Sequence, residues 1–191
     1  MIAAATSAIA SQLNQSLRRT FRVTEDLVVV SNLTEPDGSL VAQVSNKLVM
    51  FLVNIEKDNS PQQQGTRQHG ATGGIGLSPP PVHLNLKLMF AATFSGTNYP
   101  EALKFISHTI GFFQSRSVLD HQNTPDLDTR IEKLTLDIEN LSFSELSSVW
   151  SMLRGTYMPS MLYCVRMITI DAGQMIGQVP YVTQTETVVV A

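Results

Sequence analysis

The side chains best suited to acid–base or metal chemistry in this 191-residue chain are four histidines, His69, His83, His108 and His121. A helical metal pair needs histidines four residues apart, and none of these has that spacing. His83 falls on the polar side of an alternating segment and His108 within a helical one, so both read as structural or surface positions. His69 lies in a Gly- and Gln-rich stretch, poor support for a base that must be held in place. No serine sits on a G-x-S-x-G turn. Residues 70–76 (GATGGIG) lack the Gly-Lys-Ser/Thr ending of a phosphate loop and are not set between a strand and a helix start, so they aim no amides at a phosphate. Asp126 and Asp128 near Glu132 suggest a weak cation site, against which a solvated acidic face is the stronger reading. Cys164 is the single cysteine, which excludes an internal disulfide, and its apolar surroundings read as a buried, inert thiol. The expectation is no catalytic residue, no cofactor and no metal.

The elements around these residues read as one α/β or α+β domain, with helices packed on a central mixed or antiparallel sheet. Ile2, Ala5, Ile9, Leu13 and Leu17 recur at spacings of three and four, one face of a helix that Arg18 and Arg19 close with charges suited to its dipole. Strands are expected over residues 26–33, with Val28, Val29 and Val30 in succession, and through Leu48 to Val53; such two-sided apolar runs belong inside a sheet. Pro36-Asp37-Gly38 supplies a turn between them. From Val82 onward, Leu84, Leu86, Leu88 and Phe90 alternate with His83, Asn85 and Lys87. Asn98-Tyr99-Pro100-Glu101 opens a helix whose inward stripe is expected to be Tyr99, Leu103, Ile106, Ile110 and Phe113. Leu134, Leu136 and Ile138 alternate with Thr135, Asp137 and Glu139 as a further strand. Ser142-x-x-Glu145 is a capping box opening a short helix, with Leu146, Val149, Trp150 and Leu153 inward and Gly155 as its stop. Residues 161–170 form the last core strand.

Two stretches stand apart from this core. Residues 58–81 carry Gln62 to Gln64, five glycines between Gly65 and Gly76, and Pro79 to Pro81, leaving little to bury; they read as a flexible loop. The chain thus divides into a core over 1–170 and a C-terminal arm over 171–191. Val182 to Val190 alternates polar and β-branched residues, which suits either a frayed tail or an arm that adds itself to a neighbour's sheet edge. Val182, Thr183, Val188, Val189 and Val190 are therefore candidate interface residues.

Charge narrows the partners. Thirteen basic and 16 acidic residues give a net charge of -3, which excludes a typical nucleic-acid binder. No apolar run approaches the roughly 20 residues of a membrane span. Residues 1–17 lack a positive start and place Arg18, Arg19 and Arg22 at the wrong end for a secretory signal, so a soluble protein made in the cytoplasm is expected. Those three arginines form a basic patch, whereas Asp120 to Glu139 is acid-rich with only Arg130 and Lys133 as offsets. Opposed patches could orient one copy against another, with ordinary surface charge as the alternative. Charged residues are 15% of the chain against about 25% in an average domain, and interface centres are depleted in charge.

Three segments carry a resemblance. Leu84 to Ser95 (LNLKLMFAATFS) running into Asn98-Tyr99-Pro100-Glu101-Ala102-Leu103, then His121-Gln122-Asn123-Thr124-Pro125, then Leu141 to Tyr163 (LSFSELSSVWSMLRGTYMPSMLY), resemble the cap, or tail terminator, proteins of extracellular contractile injection systems. The likeness runs from Ile2 to about Ile170. It implies a structural protein forming a six-fold ring on the baseplate-distal end of a phage-tail-like particle, closing inner tube and sheath and ending their growth. The implied partners are other copies of the chain, the tube protein and the sheath protein, with no nucleic acid and no membrane. It also implies assembly in the bacterial cytoplasm followed by incorporation into a released or cell-associated particle. The rival readings are a cargo- or accessory-binding module of the same particle and a small-molecule-binding enzyme.

Overall fold

Alanine-rich sequence with apolar residues every three or four positions winds Ile2–Phe21 into α1, whose Ala5, Ile9, Leu13 and Leu17 are fully buried. In the computed structural model, residues 1–35, 37–39, 41–58, 74–77, 82–94, 96–153, 156–170 and 177–180 are described. After α1 come β1 (Val28–Val30), β2 (Leu48–Lys57), β3 (Gly74–Leu77), β4 (Val82–Ala92), α2 (Tyr99–Ser115), β5 (Val118–Asp120), β6 (Lys133–Glu139), α3 (Phe143–Met152), β7 (Ser160–Ile170) and β8 (Gly177–Pro180).

Six strands form one mixed sheet in the order β1-β2-β4-β7-β6-β5. Only β1 and β2 run parallel; the other neighbours are antiparallel. Strand side chains alternate between faces, so the long central strands build two cores. Leu48, Met50, Leu86, Leu88, Phe90, Tyr163 and Val165 point to α1 and α2. Val49, Phe51, Met89, Ala91 and Leu162 point the other way, onto Trp150 of α3 and onto Leu33 and Val44 from the β1–β2 crossover. Each fully buried leucine in these layers contributes about 2 kcal/mol through removal from water.

The structure corrects three expectations. First, β1 is an edge strand and not an interior one, with Val30 about half exposed. Its apolar run is explained by α1, which packs over it, and by Val28 in the first core. Second, α2 buries Ala102, Phe105, Thr109, Phe112 and Phe113, while Tyr99, Leu103 and Ile110 are 48%, 46% and 38% exposed. Aromatic pairing decided that rotation: Phe105 stacks on Phe21 at 4.7 Å between centroids, and Phe113 meets Phe90 and Tyr163. Third, Gly74–Leu77, inside the stretch read as a loop, is a strand paired antiparallel with Gly177–Pro180. Backbone hydrogen bonds need no apolar side chains, so composition alone did not reveal it.

The strand expected over residues 26–33 is cut to Val28–Val30, and Ile138 of β6 is half exposed, whereas β2, β4, α3 and β7 fall where the pattern put them. α3 carries both arms of the capping box: the Glu145 amide donates to Ser142 Oγ, and the Ser142 amide donates to the Glu145 carboxylate. Asn98 stands before α2 but makes no capping bond through its side chain; it reaches Asn46 instead. Gly155 and Pro36 lie outside the described residues.

Candidate functional site

α1 ends in a basic cluster with three different fates. Arg18 pairs with Asp26 at 2.9 Å on the surface. Arg22 takes up the left-handed conformation that closes the helix, with φ of 55°, a position that usually falls to glycine. Arg19 lines a groove of about 270 Å³ between α1 and the end of α2, together with Gln12, Gln15, Ser16, Phe112 and Arg116. Arg116, directly after α2, lies over the Phe112 ring with its guanidinium carbon 5.8 Å from the centroid. The lining contains two arginines and no carboxylate. The candidate interface residues Val182, Thr183, Val188, Val189 and Val190 lie outside the described residues.

Beside this groove the Ser16 hydroxyl and His108 Nε2 stand 2.9 Å apart, the spacing of a nucleophile and its base. A working pair also needs a group that orients the base. Among the described residues no acid faces the ring; Phe21 packs against it edge-on. Burial holds His108 below its ordinary pKa, which keeps the imidazole neutral near pH 7. The other histidines do not converge on it: His83 is on β4, His121 is in an exposed turn, and His69 is outside the described residues.

Among the acidic candidates, Asp128 is likewise occupied by structure. Arg130 donates to Asp128 through both Nε and Nη2, at 3.0 and 2.7 Å, and these hydrogen bonds hold the carboxyl well below the usual range. Asp128 is therefore a poor cation ligand, and no cluster of three metal-binding side chains occurs among the described residues. Residues 74–76 of the glycine-rich segment belong to β3, and Cys164 is buried in β7.

Four features went unread in the sequence. Asn14, buried in mid-α1, accepts from the Leu27 and Val28 amides at 2.8 and 2.7 Å and donates to the Val28 carbonyl at 2.9 Å. Asn123 does the same for the other sheet edge: it donates to Val118 O at 3.0 Å and accepts from the Asp120 amide at 3.1 Å, and Thr124 N donates to Asp120 O. The His121–Pro125 motif thus folds back and closes the outer edge of β5. Lys87 joins Glu139 and Glu56 across three strands. Burial alone would lower that amine's pKa, but the Glu139 hydrogen bond and neighbouring charges leave it raised. The fourth is Arg116, which sequence distance separates from α1 and the fold returns to it.

Taken together these contacts define an α/β domain built on one six-stranded sheet, whose conspicuous polar side chains brace edges and turns, and whose basic groove and apolar α2 stripe face outward. The chain belongs to the Pvc16 N-terminal domain family, which it matches over residues 4–184. Two solved structures share its fold. The PVC sheath/tube terminator of an extracellular contractile injection system, in its extended state, superposes with a TM-score of 0.69 at 14% identity, covering 100% of this chain and 64% of that one. The anti-feeding prophage cap, a tube terminating cap, gives 0.60 at 16% identity, covering 94% of this chain and 61% of that one. The chain therefore spans less than two thirds of each relative's length. No curated protein matches it.

Proposed function

We propose that this chain is a structural cap that ends the polymerisation of inner tube and sheath in a contractile injection particle. The observation that carries the reading is the superposition of the whole chain on a sheath/tube terminator, alongside the chain's own membership of the Pvc16 N-terminal domain family. On this reading the copies form a closed ring, six-fold as in the resemblance, on the baseplate-distal end, in contact with tube and sheath proteins. A ring closes only when each head-to-tail contact repeats one fixed rotation, and a braced sheet with both edges tied down suits that demand.

The exposed Tyr99, Leu103 and Ile110 lie along one side of α2, and this reading gives them a surface to be covered by. The role requires no catalysis, and the Ser16–His108 pair has no acid to orient it among the described residues. The division into a core over 1–170 and an arm over 171–191, with Val182 to Val190 touching a neighbour or the tube, belongs to the same proposal and rests on the sequence pattern. So does synthesis in the bacterial cytoplasm before incorporation into the particle.

Negative-stain microscopy of the purified protein, alone and co-expressed with its tube protein, tests the reading. Rings and decorated tube ends of regulated length are expected; monomers beside tubes of unregulated length would overturn it. Removal of residues 182–191 should impair ring formation, and normal rings on normal particles would remove the arm from the proposal.

A further inference from the structure

The groove between α1 and α2 is basic in a chain whose net charge is negative. Arg19 and Arg116 are both exposed, and neither pairs with a carboxylate among the described residues. No acid occurs in the first 24 residues to neutralise the α1 wall. Gln12, Gln15 and Ser16 add neutral donors to the same lining. Such a surface fits carboxylates, which arginine binds with two parallel hydrogen bonds.

The acidic counterpart is the turn between β5 and β6. Asp126 and Glu132 are exposed there and form no ion pair among the described residues. The turn is also rigid: Leu127 N donates to Thr124 O, Ile131 N donates to Asp128 O, and the Leu127 and Ile131 side chains are buried in the first core. A rigid loop loses little conformational freedom on docking.

Turn and groove lie toward different ends of one molecule. Met1, just before α1, packs on the same core that Leu127 and Ile131 of the turn enter. The groove begins at Gln12 and extends to Thr20, roughly 16 to 28 Å further along the helix at 1.5 Å per residue.

We infer that the groove holding Arg19 and Arg116 receives the Asp126–Glu132 turn of a second copy of this chain. The contact is head-to-tail, using two different surfaces, and so it can propagate around a ring. This inference rests on the ring reading and names the surfaces that meet in it.

Charge reversal on each side separates the two ideas. Arg19→Glu with Arg116→Glu, and Asp126→Lys with Glu132→Lys, should each weaken self-association in sedimentation velocity at least about tenfold. Thermal melts should remain close to wild type, because all four residues are on the surface. An equimolar mixture of the two double variants, and the quadruple variant alone, should restore assembly, since opposite charges again face one another. Rings that persist in both double variants, or a mixture that stays dissociated, would overturn the groove contact and leave the ring itself standing. A groove variant that forms normal rings but no longer decorates tube ends would also overturn it, assigning the groove to the tube or sheath. A wild-type chain that stays monomeric with its tube protein would remove both ideas.

Discussion

Asparagine is a poor choice for the middle of a helix, because its amide competes with the backbone. Asn14 is kept useful by what it touches: three backbone groups at the start of β1, all on the edge that no strand covers. Asn14→Leu should fill the space yet strand those groups, costing about 3 kcal/mol in urea unfolding. Asn14→Asp should also destabilise at neutral pH, because it keeps the acceptor for the two amides but sets a buried carboxylate against Val28 O. His108 allows a second test. Its folded pKa lies below the unfolded 6.5, so the unfolded chain takes up the proton first as pH falls. Its contribution is complete above about pH 6.5 and is lost as pH drops through the lowered folded value. The melting temperature of wild type should therefore fall on acidification from about pH 6.5 to 5, and that of His108→Gln should fall less. Neither role is visible in sequence. Asn14 sits among Gln12, Gln15 and Ser16 with nothing to mark it as buried, and Ser16 meets His108 across 92 positions.

The same distinction holds for whole elements. α1, β4, β6 and the capped α3 are legible because one period dominates each, 3.6 residues for the helices and two for the strands. α2 is ambiguous because it is apolar on two sides: the stripe Tyr99, Leu103, Ile110 competes with the stripe Ala102, Phe105, Thr109, Phe112. The second stripe won because its phenylalanines find aromatic partners on Phe21, Phe94 and Phe90, contacts no local pattern encodes. The losing stripe is thereby left on the surface. Leu103→Glu with Ile110→Glu should change monomer stability by no more than about 0.5 kcal/mol, as expected for surface sites, while abolishing ring assembly in microscopy. Rings unchanged by the pair would show that α2 faces water in the proposed assembly. The edges make a complementary point. Asn123→Ala should free the Val118 carbonyl and Asp120 amide of β5, lowering stability by about 1 to 2 kcal/mol and promoting concentration-dependent association through that open edge.

At the scale of the molecule, the sparse charge acquires a specific distribution. Many charged side chains are tied up within the chain, as in Arg18–Asp26, Arg130–Asp128 and the Glu56–Lys87–Glu139 cluster. The outward α2 stripe is apolar, and Arg19 and Arg116, unpaired among the described residues, line one groove. Two kinds of contact with opposite salt responses follow. Burial of the stripe does not weaken with ionic strength, whereas an exposed arginine–carboxylate contact is screened as the Debye length shrinks from about 10 Å at 0.1 M to 3 Å at 1 M. Ring association should therefore weaken with salt by about tenfold over that range and then level off, because the apolar contact persists. The Arg19→Gln, Arg116→Gln protein should start from the weaker value and show little further response. Dissociation that continues steeply with salt would mean that charge, not the apolar stripe, holds the ring. A wild-type ring indifferent to salt would mean that the groove arginines contribute nothing to it.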